Sequence, residues 1–308
     1  MPIKNIFIVY FILFFIQFSN IYPQNDSLQS EKSLKHSIWK KDNTWHLWGN
    51  FTNLFVYKDS LYCTYNKTVN DSYLLVRRDS IDYYQWFPVY KSPILKVLNN
   101  KDSIEAWTTL GYAKTKNIVD WKIYPNPKND LAWCAVNWNG FSVWGLEEFG
   151  RSGLIYINGD SLSFEEIKPS VDVFSLCVDE KNNLYAGLEN NKVYVKSINA
   201  GWKIYRALPN DGSKIRLIKF LNGKEYIGTN KLYLDGNPII DCMPSDIIFY
   251  NGLYFLSTFD KGMFISKDGV NFQSWNDDLE NINVWSICIF KNRLYAATLS
   301  NIFWREIN

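Results

Sequence analysis

The chain has 308 residues, is 47% hydrophobic and 21% charged, and carries a formal net charge of +2, enough apolar material for one large repeat domain or two ordinary ones. So small a net charge excludes the basic field of a nucleic-acid partner and the acidic field that gathers cationic ligands. Aromatic residues reach 17%, a composition suited to pleated strands.

Lys4 and the apolar run 6–18 read as the charged and hydrophobic regions of a secretory signal. The run is shorter than the about 20 residues of a bilayer span, so membrane contact is expected only through this export signal. It is either cleaved between Ser19 and Asn25 or kept as an anchor. The predicted organisation is a signal peptide over 1–24, a polar lead-in over 25–37 and one repeat domain over 38–308. The expected location is secreted, periplasmic or on the cell surface.

One strand then recurs along the chain. It is clearest at 184–188, Leu-Tyr-Ala-Gly-Leu, and returns at 61–65, 225–229, 253–257 and 294–298, with degenerate copies at 104–108 and 141–145. A first strand is predicted ahead of each copy, at 54–57, 94–98, 133–136, 174–178, 217–221, 247–250 and 285–290. Tight-turn pairs such as Asn139-Gly140, Asn222-Gly223 and Asn251-Gly252 join the two. Third strands are predicted at 73–76, 111–114, 154–157, 193–195, 232–234, 263–265 and 302–304.

A fourth strand shows as an aromatic followed three residues later by a bulky apolar residue: Trp86/Val89, Trp121/Tyr124, Phe164/Ile167, Trp202/Tyr205 and Phe272/Trp275. The fifth unit has only 238–240, and the seventh reaches the end of the chain without one. Trp45 and Trp48 repeat the spacing ahead of the first unit, so they are expected to supply the missing strand. Seven units of about 37 residues match four-stranded blades. The predicted fold is all-β: a seven-bladed β-propeller of four-stranded antiparallel blades, its last blade closed by an N-terminal strand. An open solenoid is the rival, but it leaves the N-terminal aromatic pair without a partner.

At 266–272 the chain reads Ser-Lys-Asp-Gly-Val-Asn-Phe. This stretch resembles the Asp-box, or BNR, propeller repeats of sialidases, sortilin-like receptors and photosystem-assembly-factor-like proteins, although its Gly stands one position early and Phe272 replaces Trp. The resemblance implies a structural turn in which Asp268 accepts backbone hydrogen bonds. Sialidase chemistry is not implied, because there is no Arg-Ile-Pro motif and no repeat-aligned trio of Arg residues. No metal site is expected either: the two His, His36 in the lead-in and His46 in the expected closing strand, lack the spacing of a zinc site, and the acidic run 276–280 lacks the alternating ligands of a calcium loop. The five Cys fall within strands, so they read as buried free thiols, with Cys134 and Cys177 at equivalent positions. No cofactor is expected.

The fourth position of the recurring strand is small or aliphatic in five units but is Trp107 and Trp144 in units two and three. These rings either fill a wide gap between blades or form a platform with Glu147, Glu148, Arg151 and Glu189 in the loops beside them. The functional expectation is an exported, monomeric, non-enzymatic propeller that binds a protein or a glycan through its loop face. One alternative is a glycan-processing enzyme using Glu147, Glu148, Glu189 or Asp260, which needs two carboxylates about 5 to 9.5 Å apart. The other is a structural cell-surface module.

Overall fold

A computed structural model describes residues 38–42, 50–68, 71–77, 85–90, 92–100, 102–125, 128, 130–147 and 151–307. These form seven four-stranded antiparallel sheets arranged as a seven-bladed propeller, with no helix among the described residues. The first strands are Asn50–Tyr57, Ile94–Asn100, Leu131–Trp138, Val173–Val178, Leu217–Leu221, Pro244–Tyr250 and Val284–Phe290. Each packs against the first strands of both neighbouring blades, and the series closes from Val284–Phe290 back onto Asn50–Tyr57. The first strands therefore line the axis, and the fourth strands stand at the rim.

This layering explains which strands carry the repeat. A second strand is covered on one side by the next blade and on the other by the previous one, so Leu184–Leu188 and Ser103–Thr108 are buried throughout, and Leu184–Leu188 reads as a nearly continuous apolar run. Fourth strands are mostly exposed, as Ser161–Glu165 and Lys203–Ala207 show, and their sequences drift. The hairpins between first and second strands are tight. Asn139 and Gly140 have φ of 52° and 78°, and Asn251 and Gly252 have 49° and 79°. Such left-handed pairs match the twist of the strands they join.

The N-terminal strand closes the last blade, through residues other than those expected. Lys40–Lys41 pairs antiparallel with Ile302–Glu306, whereas Trp45 and Trp48 lie outside the described residues. The aromatic of this strand is Trp39, 2% exposed. Its indole Nε1 donates to the Trp275 carbonyl at 2.7 Å, and its ring meets that of Trp275 edge-on at 5.3 Å. Just beyond the strand, the buried Asp42 receives the Arg77 guanidinium of blade 1. Trp39 thus fixes the strand to blades 6 and 7 and Asp42 fixes it to blade 1.

The turn at 266–272 behaves as the resemblance implies. Asp268 Oδ1 accepts the Val270 and Asn271 amides at 2.8 Å each, and the Ser266 hydroxyl accepts the Gly269 amide. A second turn of the same kind stands at 115–121, which the sequence reading missed. There Asn117 Oδ1 accepts the Val119 and Asp120 amides, and Thr115 Oγ1 accepts the Ile118 amide. Ile118 occupies the place of Gly269 at φ of 75°, a conformation rare for a β-branched residue. All five thiols are free. Cys134 lies opposite Gly145 and Cys177 opposite Tyr185, so the two are not equivalent. The equivalent of Cys177 is Cys288, opposite Tyr295.

Candidate ligand-binding face

The strand pairings place Trp107 and Trp144 one residue out of register with each other. Trp107 lies opposite Lys96 just past a bulge in the first strand of blade 2. The same place in blade 3 belongs to Gly145, opposite Cys134, and in blade 4 to Gly187, opposite Ser175. Trp144 occupies the position before it. A shift of one residue sends a side chain to the other face of a sheet, so Trp107 points from blade 2 toward blade 3 while Trp144 points back. They meet in one gap, with ring centroids 5.5 Å apart.

Both rings are interior. Trp107 is 2% and Trp144 0% exposed, packed with Leu98, Tyr112, Leu146 and Ile155, and Trp107 Nε1 donates to the Asp130 carbonyl at 3.0 Å. Neither ring offers a flat face to solvent. The small residue at the Trp107 position in blades 3 and 4 has a steric cause: a Cβ on Gly145 would meet Cys134 Sγ and stand 2.8 Å from Val173 Cγ1.

The remaining expected residues gather in two ion-paired groups on the loops between second and third strands. Arg151 binds Asp130 through its backbone amide at 3.0 Å and its guanidinium at 2.9 Å, and its side chain lies over the Phe164 ring. Lys214 of blade 5 reaches Glu147 at 3.4 Å and Glu189 at 3.8 Å, with its ammonium 4.0 Å from the Phe174 ring centroid. Glu148 lies outside the described residues. Asp260, in blade 6, accepts the Met243 amide at 2.8 Å.

Sequence reasoning missed a ring of residues at the same end of the blades. In six blades the first strand skips one or two residues in its pairing, at Thr52-Asn53, Leu95, Trp133, Phe174, Ser245 and Trp285. In blade 5 Arg216 takes this place, its amide bonded to the Gly228 carbonyl at 2.8 Å. A bulge lifts its residue out of the ladder and re-aims the side chain. Here each stands beside the axis where the first strand begins, and all but Asn53 keep partial exposure. Three of the seven positions carry an aromatic. Arg216 has no side-chain hydrogen bond or ion pair among the described residues, and its Nε is buried without an acceptor. Burial lowers its pKa, against the attraction of Glu147.

No family model and no curated protein matches the sequence. Solved structures share its fold. Virginiamycin B lyase from Staphylococcus aureus superposes with a TM-score of 0.73 at 11% identity, over 89% of this chain and 100% of its own. YCF48 bound to D1 peptide gives 0.69 at 12%, over 91% and 100%. The extracellular domain of BT4673 from B. thetaiotaomicron gives 0.68 at 11%, over 88% of this chain and 40% of that one. At such identities the likeness is one of fold.

Proposed function

We propose that this chain is an exported, non-enzymatic propeller that captures a protein ligand on the face where the bulged first strands begin. The observation that carries the reading is the ring of seven equivalent positions, in which Trp133, Phe174 and Trp285 remain partly exposed and Arg216 keeps unused donors. Aromatics and Arg dominate binding energy at the centre of protein contacts. Glu147, Arg151 and Glu189 belong to the rim of this site, with Glu148 beside them in the chain.

A structurally similar propeller, YCF48, is described with a bound peptide, which favours a protein over a glycan. The lyase reading has less support. A histidine-to-alanine variant of virginiamycin B lyase is catalytically inactive, whereas both His of this chain precede the first blade. Glu147 and Glu189 share one ammonium, an arrangement that ties loop to loop. Export rests on Lys4 and the apolar run 6–18, and an extracellular domain is among the similar folds. The proposed boundaries remain 1–24 for the signal, 25–37 for the lead-in and 38–308 for the propeller, acting as a monomer.

The test is affinity capture from the envelope and culture fluid of the native host, with the mature protein and an Arg216→Ala/Phe174→Ala variant as parallel baits, and a glycan array alongside. A protein held by the first bait and lost by the second supports the reading. Glycan binding without any such protein refutes the ligand class.

A further inference from the structure

Just ahead of the first strand of blade 5, where the strand starts ring the central channel of the propeller, Lys214 and Arg216 stand on either side of Ile215. Ile215 ties this stretch to blade 4. Its amide donates to the Leu188 carbonyl at 3.2 Å, its carbonyl accepts the Ser175 hydroxyl at 2.8 Å, and its side chain lies against Gly187. Both cations are thereby held beside Phe174, the neighbour of Ser175, and Lys214 Nζ stands 4.0 Å from the Phe174 ring centroid. The Lys214 contacts to Glu147 and Glu189, at 3.4 and 3.8 Å, are longer than the about 2.8 Å of a charge-assisted hydrogen bond. Arg216 has its backbone fixed by the Gly228 carbonyl, while its Nε is buried without an acceptor and the side chain as a whole keeps partial exposure.

A guanidinium that has left water without gaining acceptors is costly, and a carboxylate matches its planar fork by accepting two parallel hydrogen bonds. Glu147 and Glu189 both lie against Lys214, so the acceptor for Arg216 has to come from outside the chain. We propose that the protein ligand of this face presents a carboxylate, from an Asp or Glu side chain or from its C-terminus, to Arg216 and Lys214 beside Phe174. The inference rests on the reading of this face as the protein-binding one. Arg216 grips the carboxylate, the long contacts of Lys214 leave its ammonium able to turn to the same group, and Phe174 packs against the apolar atoms that carry it.

The experiment selects peptides on the immobilised mature protein from two phage-displayed random libraries, one tethered through its C-terminus and one ending in a free C-terminus. Enriched peptides are synthesised, and their Kd is measured by fluorescence anisotropy against the wild type, R216M, R216K and Phe174→Ala, with melting curves to establish folding. The expected result is a fixed Asp or Glu in peptides of the first library, or dependence on the free terminus in those of the second. Converting that group to its amide should weaken binding to the wild type on the order of tenfold to a hundredfold. R216M should bind acid and amide forms alike, with R216K between. If R216M does not fold, the acid–amide comparison on the wild type and R216K decides. Peptides that lose affinity in Phe174→Ala yet show no difference between acid and amide overturn the carboxylate and leave the protein-binding face standing. So does an acid–amide difference that folded R216M retains in full. Peptides unaffected by both Phe174→Ala and R216M, or no enrichment from either library, overturn the face itself and the carboxylate with it.

Discussion

At the residue scale, burial decides what the large aromatics do. Trp144 is wholly buried between two blades, so Trp144→Ala should lower stability by about 3–5 kcal/mol, measured by denaturant unfolding, without altering the affinity of a properly folded fraction. Gly145→Ala is expected to cost about 1–3 kcal/mol by overpacking, since its new methyl would crowd Cys134 and Val173. Asp268 shows the electrostatic side. The Asn271 and Val270 amides hold its carboxyl well below the usual range, and the Ser213 hydroxyl lowers the pKa of Asp211. A depressed folded pKa adds stability above the unfolded value of about 3.9, and that stability is lost as pH falls through the folded pKa. Unfolding free energy should therefore decline as pH drops below about 5, and Asp268→Asn should flatten the decline. An identical pH profile in wild type and variant would contradict this.

At the element scale, the closing strand is short and relies on its flanks. Two residues pair with the last blade, while Trp39 and Asp42 fix the strand on either side. Trp39→Ala should cost about 3–5 kcal/mol. Deletion through residue 42 should cost more and leave Ile302–Glu306 as an open edge prone to association. Light scattering and calorimetry check both, and unchanged melting would rule out closure by this strand.

Most of the elements were legible in the sequence because second strands are buried on both faces, and the predicted third strand at 232–234 matches Leu232–Leu234. What the sequence hid has three physical causes. Reading the recurring strand of blade 3 as 141–145 put Trp144 where Gly145 belongs; the Gly145-Leu146 pair, matching Gly187-Leu188, marks the true register. The closing strand was sought at Trp45 and Trp48, although the pair Trp39-Lys40 repeats Trp121-Lys122 and Trp202-Lys203 at the start of other fourth strands. The bulges left no local signature, because a bulge is a relation between two strands. That is why Trp133, Phe174, Arg216 and Trp285 went unrecognised as a ring.

At the scale of the whole molecule, seven blades bring seven strand starts, six of them bulged, to one end of one axis, so a site forms from positions about 40 residues apart in sequence. Export belongs to this scale too. Mass spectrometry of the protein from its native host should find a mature N-terminus between Ser19 and Asn25, and an intact Met1 on cytoplasmic protein would rule export out.

The central claim is that the ring at the channel mouth binds a protein, while the buried tryptophans only pack. Affinity for the captured partner and melting temperature, measured together on Phe174→Ala, Trp285→Ala and Trp144→Ala, test it most directly. The account predicts that Phe174→Ala and Trp285→Ala weaken binding by on the order of 2 kcal/mol each, roughly thirtyfold, with smaller losses of stability than Trp144→Ala, which leaves Kd unchanged. Unaltered affinity in both ring variants, or a loss of affinity confined to Trp144→Ala, would contradict it.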